Sequence, residues 1–324
     1  MTASELAAAG VRDPLLRESY ERCRQLHARH GRTYYLATKL LARSQRPAVH
    51  ALYGVARWAD DIVDAAPAGG DPCAIATQLD QFESDFEAGL RDGASGHPIL
   101  SAVVDTVLRY RISPALLRDF FVSMSMDLTV RDYPDRLALD TYMYGSAEVV
   151  GLQLLPVLGT VGPADEAARY AAALGKAFQL TNFLRDVGED LDRGRVYLPA
   201  DELAAFGVDR DRLQWCRDHG RVDHKVRAAL ADQHATTRAL YSYAKDGIAL
   251  LHPVSRPCVG TAFTLYGDIL DRIEDSDFAV FTQRARVGRW RRARVAVPAL
   301  IQARWARTQP GGGPAPAFRP RPVS

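Results

Sequence analysis

The stretch Asn182-Phe183-Leu184-Arg185-Asp186-Val187-Gly188-Glu189-Asp190 sets two aspartates one helical turn apart, with Asn and Arg just upstream. Arg57-Trp58-Ala59-Asp60-Asp61-Ile62-Val63-Asp64 repeats the device with Asp60 and Asp64. Like charges at i, i+4 destabilise a helix by about 0.2–0.5 kcal/mol per pair. Two such pairs turned inward call for a partner of high positive charge. Mg²⁺ ions holding a diphosphate meet that need, because Mg²⁺ prefers oxygen ligands shared between carboxylates and phosphates.

The surroundings of each doublet sharpen this. On a helical wheel Tyr53, Arg57, Asp60 and Asp64 lie within a stripe of about 60°. Val49, Leu52, Val55, Trp58, Ile62 and Val63 surround that stripe, so the helix is expected to be largely buried. Buried carboxylates need partners. An exposed face with an Arg57–Asp60 or Arg57–Asp61 ion pair is the plainer alternative, worth about 0.3 kcal/mol. Gln179, Phe183, Asp186 and Asp190 share a face of the second helix, with Asn182 beside it. Gln and Asn supply neutral oxygens, and Arg185 can clamp a diphosphate. Asp192-Arg193-Gly194-Arg195-Val196-Tyr197-Leu198-Pro199 follows as a loop whose arginines can close over phosphates.

A third helix sets Tyr142, Ser146, Val150 and Leu154 one turn apart, beside Gly145 and Gly151. Small residues there serve either helix packing or the wall of an apolar tunnel. Glu148 has no assigned role. Asp268, Asp271, Asp275 and Asp277 read as a solvated helix face.

Alternating strand patterns are scarce and helix punctuation is frequent. Asp13-Pro14, Asp71-Pro72 and Ser113-Pro114 read as N-caps followed by Pro at the first helical position. Gly31, Gly89, Gly159, Gly220 and Gly247 fall where helices can end. The pattern predicts helices over 14–29, 33–42, 47–65, 73–88, 98–110, 114–130, 137–158, 165–191, 222–246 and 254–275, with two shorter ones between 200 and 218. The expected fold class is all-α, one helical domain over 14–295 around a central cavity. Residues 66–71 read as a Pro/Gly loop and 309–324 as a disordered tail by composition.

The 324 residues, 47% of them hydrophobic, can bury a large core. A net charge of +2 gives no argument for nucleic acid. No acidic residue follows Asp277, yet ten arginines do, leaving −8 on residues 1–277. Such a basic end is a solvated tail or a contact for an anionic membrane surface. Cys23, Cys73, Cys216 and Cys258 are scattered, which fits a reducing cytoplasm and neither zinc nor a disulfide framework. The N-terminus lacks the pattern of a secretory signal, and the longest apolar stretch, 149–161, is too short to span a bilayer. The histidines show no metal-ligand spacing. No dinucleotide, P-loop or G-x-S-x-G fingerprint is present.

At these residues the chain resembles the squalene/phytoene synthase family. Leu174-Gly175, Gln179, Asn182-Phe183-Leu184-Arg185-Asp186, Asp190 and Arg195-Val196-Tyr197-Leu198-Pro199 follow that family's long second signature. Tyr142 and Ser146-Ala147-Glu148-Val149-Val150-Gly151 follow the other signature. Glu148 replaces a usual small residue there, and Gly145-Ser146 differ from the commoner aromatic-Val pair. His30-Gly31-Arg32-Thr33 and Tyr34 are similar to its N-terminal diphosphate-contacting segment, and Tyr266 and Arg284 fall near its C-terminal Tyr and Arg.

The resemblance, over about 14–295, implies an isoprenoid synthase fold. It also implies head-to-head joining of two prenyl diphosphates through a cyclopropylcarbinyl diphosphate. It implies that Asp60, Asp64, Asp186, Asp190 and Asn182 hold Mg²⁺, with Mn²⁺ as an alternative. Arg57, Arg185, Tyr53, Thr33 and Tyr266 would take phosphate oxygens, and Gln179 would orient water or a diphosphate oxygen. The rings of Phe183, Tyr34 and Tyr142 would face a carbocation, with Tyr142 counted among the catalytic residues. The expected reaction makes phytoene from two geranylgeranyl diphosphates, without NADPH. A farnesyl-using squalene or dehydrosqualene synthase is the near alternative. Terpene cyclisation is the farther one, since Asp60-Asp61-Ile62-Val63-Asp64 also fits D-D-x-x-D. A helical interaction protein without chemistry would not need such costly carboxylates. The expected location is the cytoplasm, with peripheral membrane contact through the basic end.

Overall fold

The computed structural model describes residues 3–64, 71–309 and 313. Fifteen α-helices follow one another among them: α1 Ala3–Ala8, α2 Pro14–His30, α3 Arg32–Thr38, α4 Arg46–Val63, α5 Pro72–Asp92, α6 Leu100–Tyr110, α7 Ala115–Thr129, α8 Arg136–Met143, α9 Val149–Leu158, α10 Ala164–Asp192, α11 Ala200–Ala205, α12 Arg210–His219, α13 His224–Ala244, α14 Arg256–Asp275 and α15 Arg289–Thr308. A π-helical turn, Tyr144–Glu148, joins α8 to α9, and a 3₁₀ turn, Lys245–Leu250, follows α13. Only two isolated β-bridges occur among the described residues. The all-α expectation holds.

Local chemistry explains many boundaries. Asp13 accepts from Leu16 N at 2.8 Å and Asp71 from Cys73 N at 3.0 Å, so both expected caps form. Ser113 caps nothing; Pro114 itself stands at the N-cap of α7. Gly159 and Gly220 end α9 and α12 with positive φ. Gly89, expected at a helix end, lies inside α5. It is there because a Cβ would press on Val104 Cγ2 at 2.9 Å, and α5 ends instead at left-handed Gly93. The helix read over 137–158 is split by the π turn. The expected helix at 33–42 stops at Thr38. Helices α1 and α15 lie outside the helices that the sequence pattern predicts. Of the Pro/Gly loop only Asp71 is described, and of the tail only Gln309 and Gly313; the rest of both lies outside the described residues.

Helix α10 is the central element, packed on α9, α13, α14 and the π turn. Glycines let these backbones meet. A Cβ on Gly175 would stand 2.3 Å from Ala147 O, and one on Gly151 2.3 Å from Ala171 O. Gly145 presses likewise on Asp119 O of α7, at 2.2 Å. The same seam carries Lys176, whose Nζ is 2.8 Å from Asp140 Oδ2 and 3.6 Å from Glu148 Oε1. This gives Glu148 a role: it helps tie the π turn to α10.

One apolar cluster joins α2, α4, α5, α6 and α7, and a second joins α10 to α14. Between them lies a cavity of about 330 Å³. Asp268 departs from the solvated reading, since it is buried and takes two hydrogen bonds from Arg291 of α15, each 2.8 Å. The partner comes from a helix that no local pattern announced.

Candidate active site

The cavity has an apolar body and one polar end. Leu41, Leu155, Leu158, Leu251, Cys258 and Ala262 line the body, and Asp60, Tyr53, Ser146, Gln179 and Asn182 bring polar atoms to its wall. Val150, Gly151 and Leu154 line it too. The α9 surface therefore serves packing and cavity wall at once, with Gly151 doing both. Asn182 Oδ1 and Ser146 Oγ are buried without a hydrogen-bond partner. A buried orphan oxygen is costly, so these atoms are ready for a ligand.

The first doublet sits at the end of α4. Burial raises the Asp60 carboxyl to about 7; Arg57 opposes, and Asp64, Asp127 and Asp61 add to the rise. Arg57 pairs with Asp61, the plainer reading of that arginine, while its Nε stays buried and unpartnered. The second doublet sits in the last turns of α10. Burial raises Asp190 to about 7, Asp186 adds to this, and Arg193 and Arg195 oppose it. Asp186 goes the other way. Burial would raise it, but hydrogen bonds and charge from Arg185 and Arg284 outweigh that and hold it low. Arg284 reaches both its oxygens, at 2.8 and 2.9 Å.

The loop after α10 joins the two doublets. Arg193 and Arg195 each stand 4.0 Å from Asp64 Oδ1, and both act electrostatically on Asp190. Arg195 is buried and donates to Asp127 O at 2.9 Å, so it is fixed in place rather than free to swing.

Asp127 is the residue that sequence reasoning missed. It is buried on α7, accepts from Tyr142 at 2.8 Å and from Tyr197 at 3.1 Å, and acts on Asp60. The only signal is a single charge in the stretch Phe120–Leu128, where every other residue is apolar or Ser. Tyr142 and Phe183 correct an expectation. They do not line the cavity but pack with Tyr133 and Tyr197, Phe183 stacking on Tyr197 at 4.2 Å. The aromatic wall is made instead by Tyr34 and Phe178, with Tyr266 stacked on Tyr34 at 4.7 Å and 4.6 Å from Phe178. Phe178, beside Gln179, carries no functional signal in the sequence, because an aromatic at helical spacing reads as core.

The N-terminal segment divides. Thr33 and Tyr34 are half-buried, whereas His30 and Arg32 are exposed. Gly31 is needed for a close approach, since a Cβ would meet Tyr53 Cε2 at 2.6 Å. Tyr53 stacks on buried His27 with ring centres 4.1 Å apart.

No three His, Cys, Asp or Glu side chains among the described residues stand together as a complete metal site. The donors nonetheless fit Mg²⁺. They are all oxygens, one of them an orphaned buried amide oxygen, and the Asp60 and Asp190 carboxyls are made unstable as anions by burial and by the carboxylates beside each of them. The missing ligands would be phosphate oxygens.

An all-α chamber with an apolar body, a polar end at Asp60, Gln179 and Asn182, and arginines paired with carboxylates at the two doublets fits a prenyltransferase-type enzyme. The family model described as Squalene/phytoene synthase matches residues 27–291, and the chain belongs to that family. It is 39% identical to a phytoene synthase of Arthrospira platensis over 309 residues, 91% of this chain and 96% of that one. It is 37% identical to a 15-cis-phytoene synthase of Synechococcus elongatus over 298 residues, 89% of this chain and 94% of that one. Its fold is that of a dehydrosqualene synthase crystal structure, with a TM-score of 0.79 at 23% identity, covering 90% of this chain and 98% of the other. A squalene synthase from Alicyclobacillus acidocaldarius superposes with a TM-score of 0.73 at 25% identity, over 84% and 98% of the two chains.

Proposed function

We propose that the protein joins two geranylgeranyl diphosphates head to head, through a cyclopropylcarbinyl diphosphate, to give phytoene. The observation that carries this reading is the apolar cavity ending at Asp60, Gln179 and Asn182, in a chain similar over most of its length to proteins named phytoene synthase. The balance of the reaction suits it. Two diphosphates leave and two protons are lost, so no hydride donor is required, whereas squalene formation consumes one hydride.

Asp60, Asp64, Asp186, Asp190 and Asn182 would hold Mg²⁺, or Mn²⁺, which supplies Lewis acidity and charge neutralisation toward a departing diphosphate. The chain does the rest. Arg57, Arg185 and Arg284 stand beside the two doublets, paired with Asp61 and Asp186, and their guanidinium forks suit phosphate oxygens. In the free protein Arg185 and Arg284 are occupied by Asp186. A bound diphosphate would draw on these arginines as cations take over the carboxylate. Tyr34 and Phe178 line the cavity, where an allylic carbocation would be stabilised by π density and shielded from water. Leu41, Leu155 and Leu158 receive the prenyl tails. With unbridged cysteines a cytoplasmic setting suits the protein, and since substrate and product are lipids, peripheral membrane contact belongs to this reading.

The test is to incubate the protein with farnesyl or geranylgeranyl diphosphate and Mg²⁺, with and without NADPH, and identify the hydrocarbon. Phytoene without NADPH is expected. Squalene formed only with NADPH would replace this reading with the farnesyl-using one, and a cyclic C15 or C20 product would overturn both.

A further inference from the structure

Helix α15 faces the wrong way for a helix stabilised only by its own protein. Its inner side is small: Ala299 and Ala303 are buried in the cluster that holds Leu40, Leu41, Cys258 and Ala262. Its large apolar side chains point outward. Trp290 is 87% exposed, Ile301 65% and Trp305 66%. At 100° per residue these three and exposed Val297 fall within about 80° of one another, a stripe along a helix about 30 Å long into which exposed Arg294 also falls. Single exposed apolar residues are ordinary, but an aligned stripe marks an interaction surface.

The charge beside the stripe is of one sign. Residues 278–324 contain ten arginines and no acid. Arg291 is engaged with Asp268, and Arg307 with Leu40 O. Exposed Arg289, Arg294 and Arg304 make no ion pair among the described residues. At the C-terminal end the guanidiniums crowd together. Arg307 is pushed below its ordinary value by burial and then by Arg46, Arg304 and Arg43. Such a field is relieved by anions.

We propose that the outward face of α15 docks on the anionic surface of a lipid bilayer. Trp290 and Trp305 fit the headgroup layer, with an apolar body and one N–H. Val297 and Ile301 lie between them, and the unpaired arginines meet lipid phosphates while their stems cover apolar surface. A nucleic acid would satisfy the arginines but leave the stripe in water. No described helix is long and apolar enough to cross a membrane, so the contact is peripheral. The placement also suits the proposed chemistry, on which its biological sense rests. Leu41, Leu158, Cys258 and Ala262 belong both to the cluster beneath α15 and to the cavity wall. The docked helix therefore lies directly behind the apolar body of the cavity.

The experiment is co-sedimentation of the full-length protein with phosphatidylcholine vesicles, with and without phosphatidylglycerol. Binding is expected only with phosphatidylglycerol, and it should weaken as salt is raised. Replacing Trp290, Ile301 and Trp305 together by Ser should weaken binding about tenfold or more, and Arg294→Gln with Arg304→Gln by a similar factor. Circular dichroism melting checks that both variants, altered only at exposed positions, stay folded. Equal sedimentation with the two vesicle types, or unchanged binding by the Ser variant, overturns the proposal. So does a light-scattering dimer that the Ser variant converts to monomer, since the face would then be a contact between copies. Hydrocarbon synthesis in detergent is measured alongside. Vesicle binding without any hydrocarbon would sink the enzymatic reading and leave the docking surface standing.

Discussion

The Tyr142 hydroxyl donates to Asp127 Oδ2 at 2.8 Å, while the Tyr197 hydroxyl reaches Oδ1 at 3.1 Å. Burial raises the Asp127 carboxyl, against which Arg195 and the two phenols act. The pair ties α7 to α8 and to the loop after α10, immediately behind the aspartates. Removing one partner leaves the other buried and unsatisfied, at a cost of about 1–3 kcal/mol. Asp127→Asn and Tyr142→Phe should each lower stability on that scale and lower turnover. The double variant should cost clearly less than the sum of the two, since both remove one interaction. Chemical denaturation and steady-state rates on the three variants test this; strict additivity would show that the contact does not couple the residues.

Asp64→Ala and Asp190→Ala should each reduce turnover by about 100-fold or more, because charge stabilisation of a departing diphosphate is worth several kcal/mol. Helicity by circular dichroism should be nearly unchanged, as both residues lie at helix ends. Full activity in either variant would remove that aspartate from the metal assignment.

Asp60 and Asp190 are raised to about 7 by burial and neighbouring carboxylates. An unfolded aspartate titrates near 3.9. The folded protein without cations therefore binds protons more tightly than the unfolded chain. The stability these groups contribute is complete below about pH 4 and is lost as pH rises through about 7. Asp60→Asn and Asp190→Asn should then melt higher than wild type in EDTA at pH 8, by roughly 2–4 °C for each kcal/mol relieved. The difference should vanish toward pH 4. Added Mg²⁺ with inorganic pyrophosphate should raise the melting temperature of wild type more than that of either variant. Variants that melt lower than wild type at pH 8 would contradict the electrostatic account.

Gly175→Ala places a methyl where Ala147 O already stands, 2.3 Å away. Backbone must move, so a loss of about 1–3 kcal/mol is expected. Because Ala147 and Ser146 line the cavity, KM should change as well. Gly260→Ala is the control. It lies inside α14 with nothing within 4 Å of the added carbon, so a gain of about 0.5–1 kcal/mol is expected from helix propensity alone. Equal effects at the two sites would mean that the close approach of α10 to the π turn is not what Gly175 serves.

Much of the molecule was legible from local chemistry. The i, i+4 aspartates and the caps at Asp13 and Asp71 are local to single helices, and each appears where its pattern places it. Ser146, Val150 and Leu154 all reach the cavity wall, although the π turn separates Ser146 from α9. Helix α15 was hidden because the residues it buries fully are the alanines Ala299 and Ala303 and most of its large apolar residues face outward, so no strong inward stripe exists to read. Asp268 looked solvated because its partner, Arg291, is on that same unread helix.

By itself the sequence determined an all-α chain, two carboxylate pairs on helix faces and an arginine-bearing loop after the second. These follow from backbone periodicity and side-chain chemistry within a few residues. Only the tertiary structure decided that Tyr142 turns to Asp127 rather than to the cavity, that Tyr34 and Phe178 form the aromatic wall, and that Arg193 and Arg195 stand between the two doublets. Those relationships depend on which helices meet and how closely. The glycines of α9 and α10 permit that approach, but a pattern along one chain does not name the backbone that will fill the space.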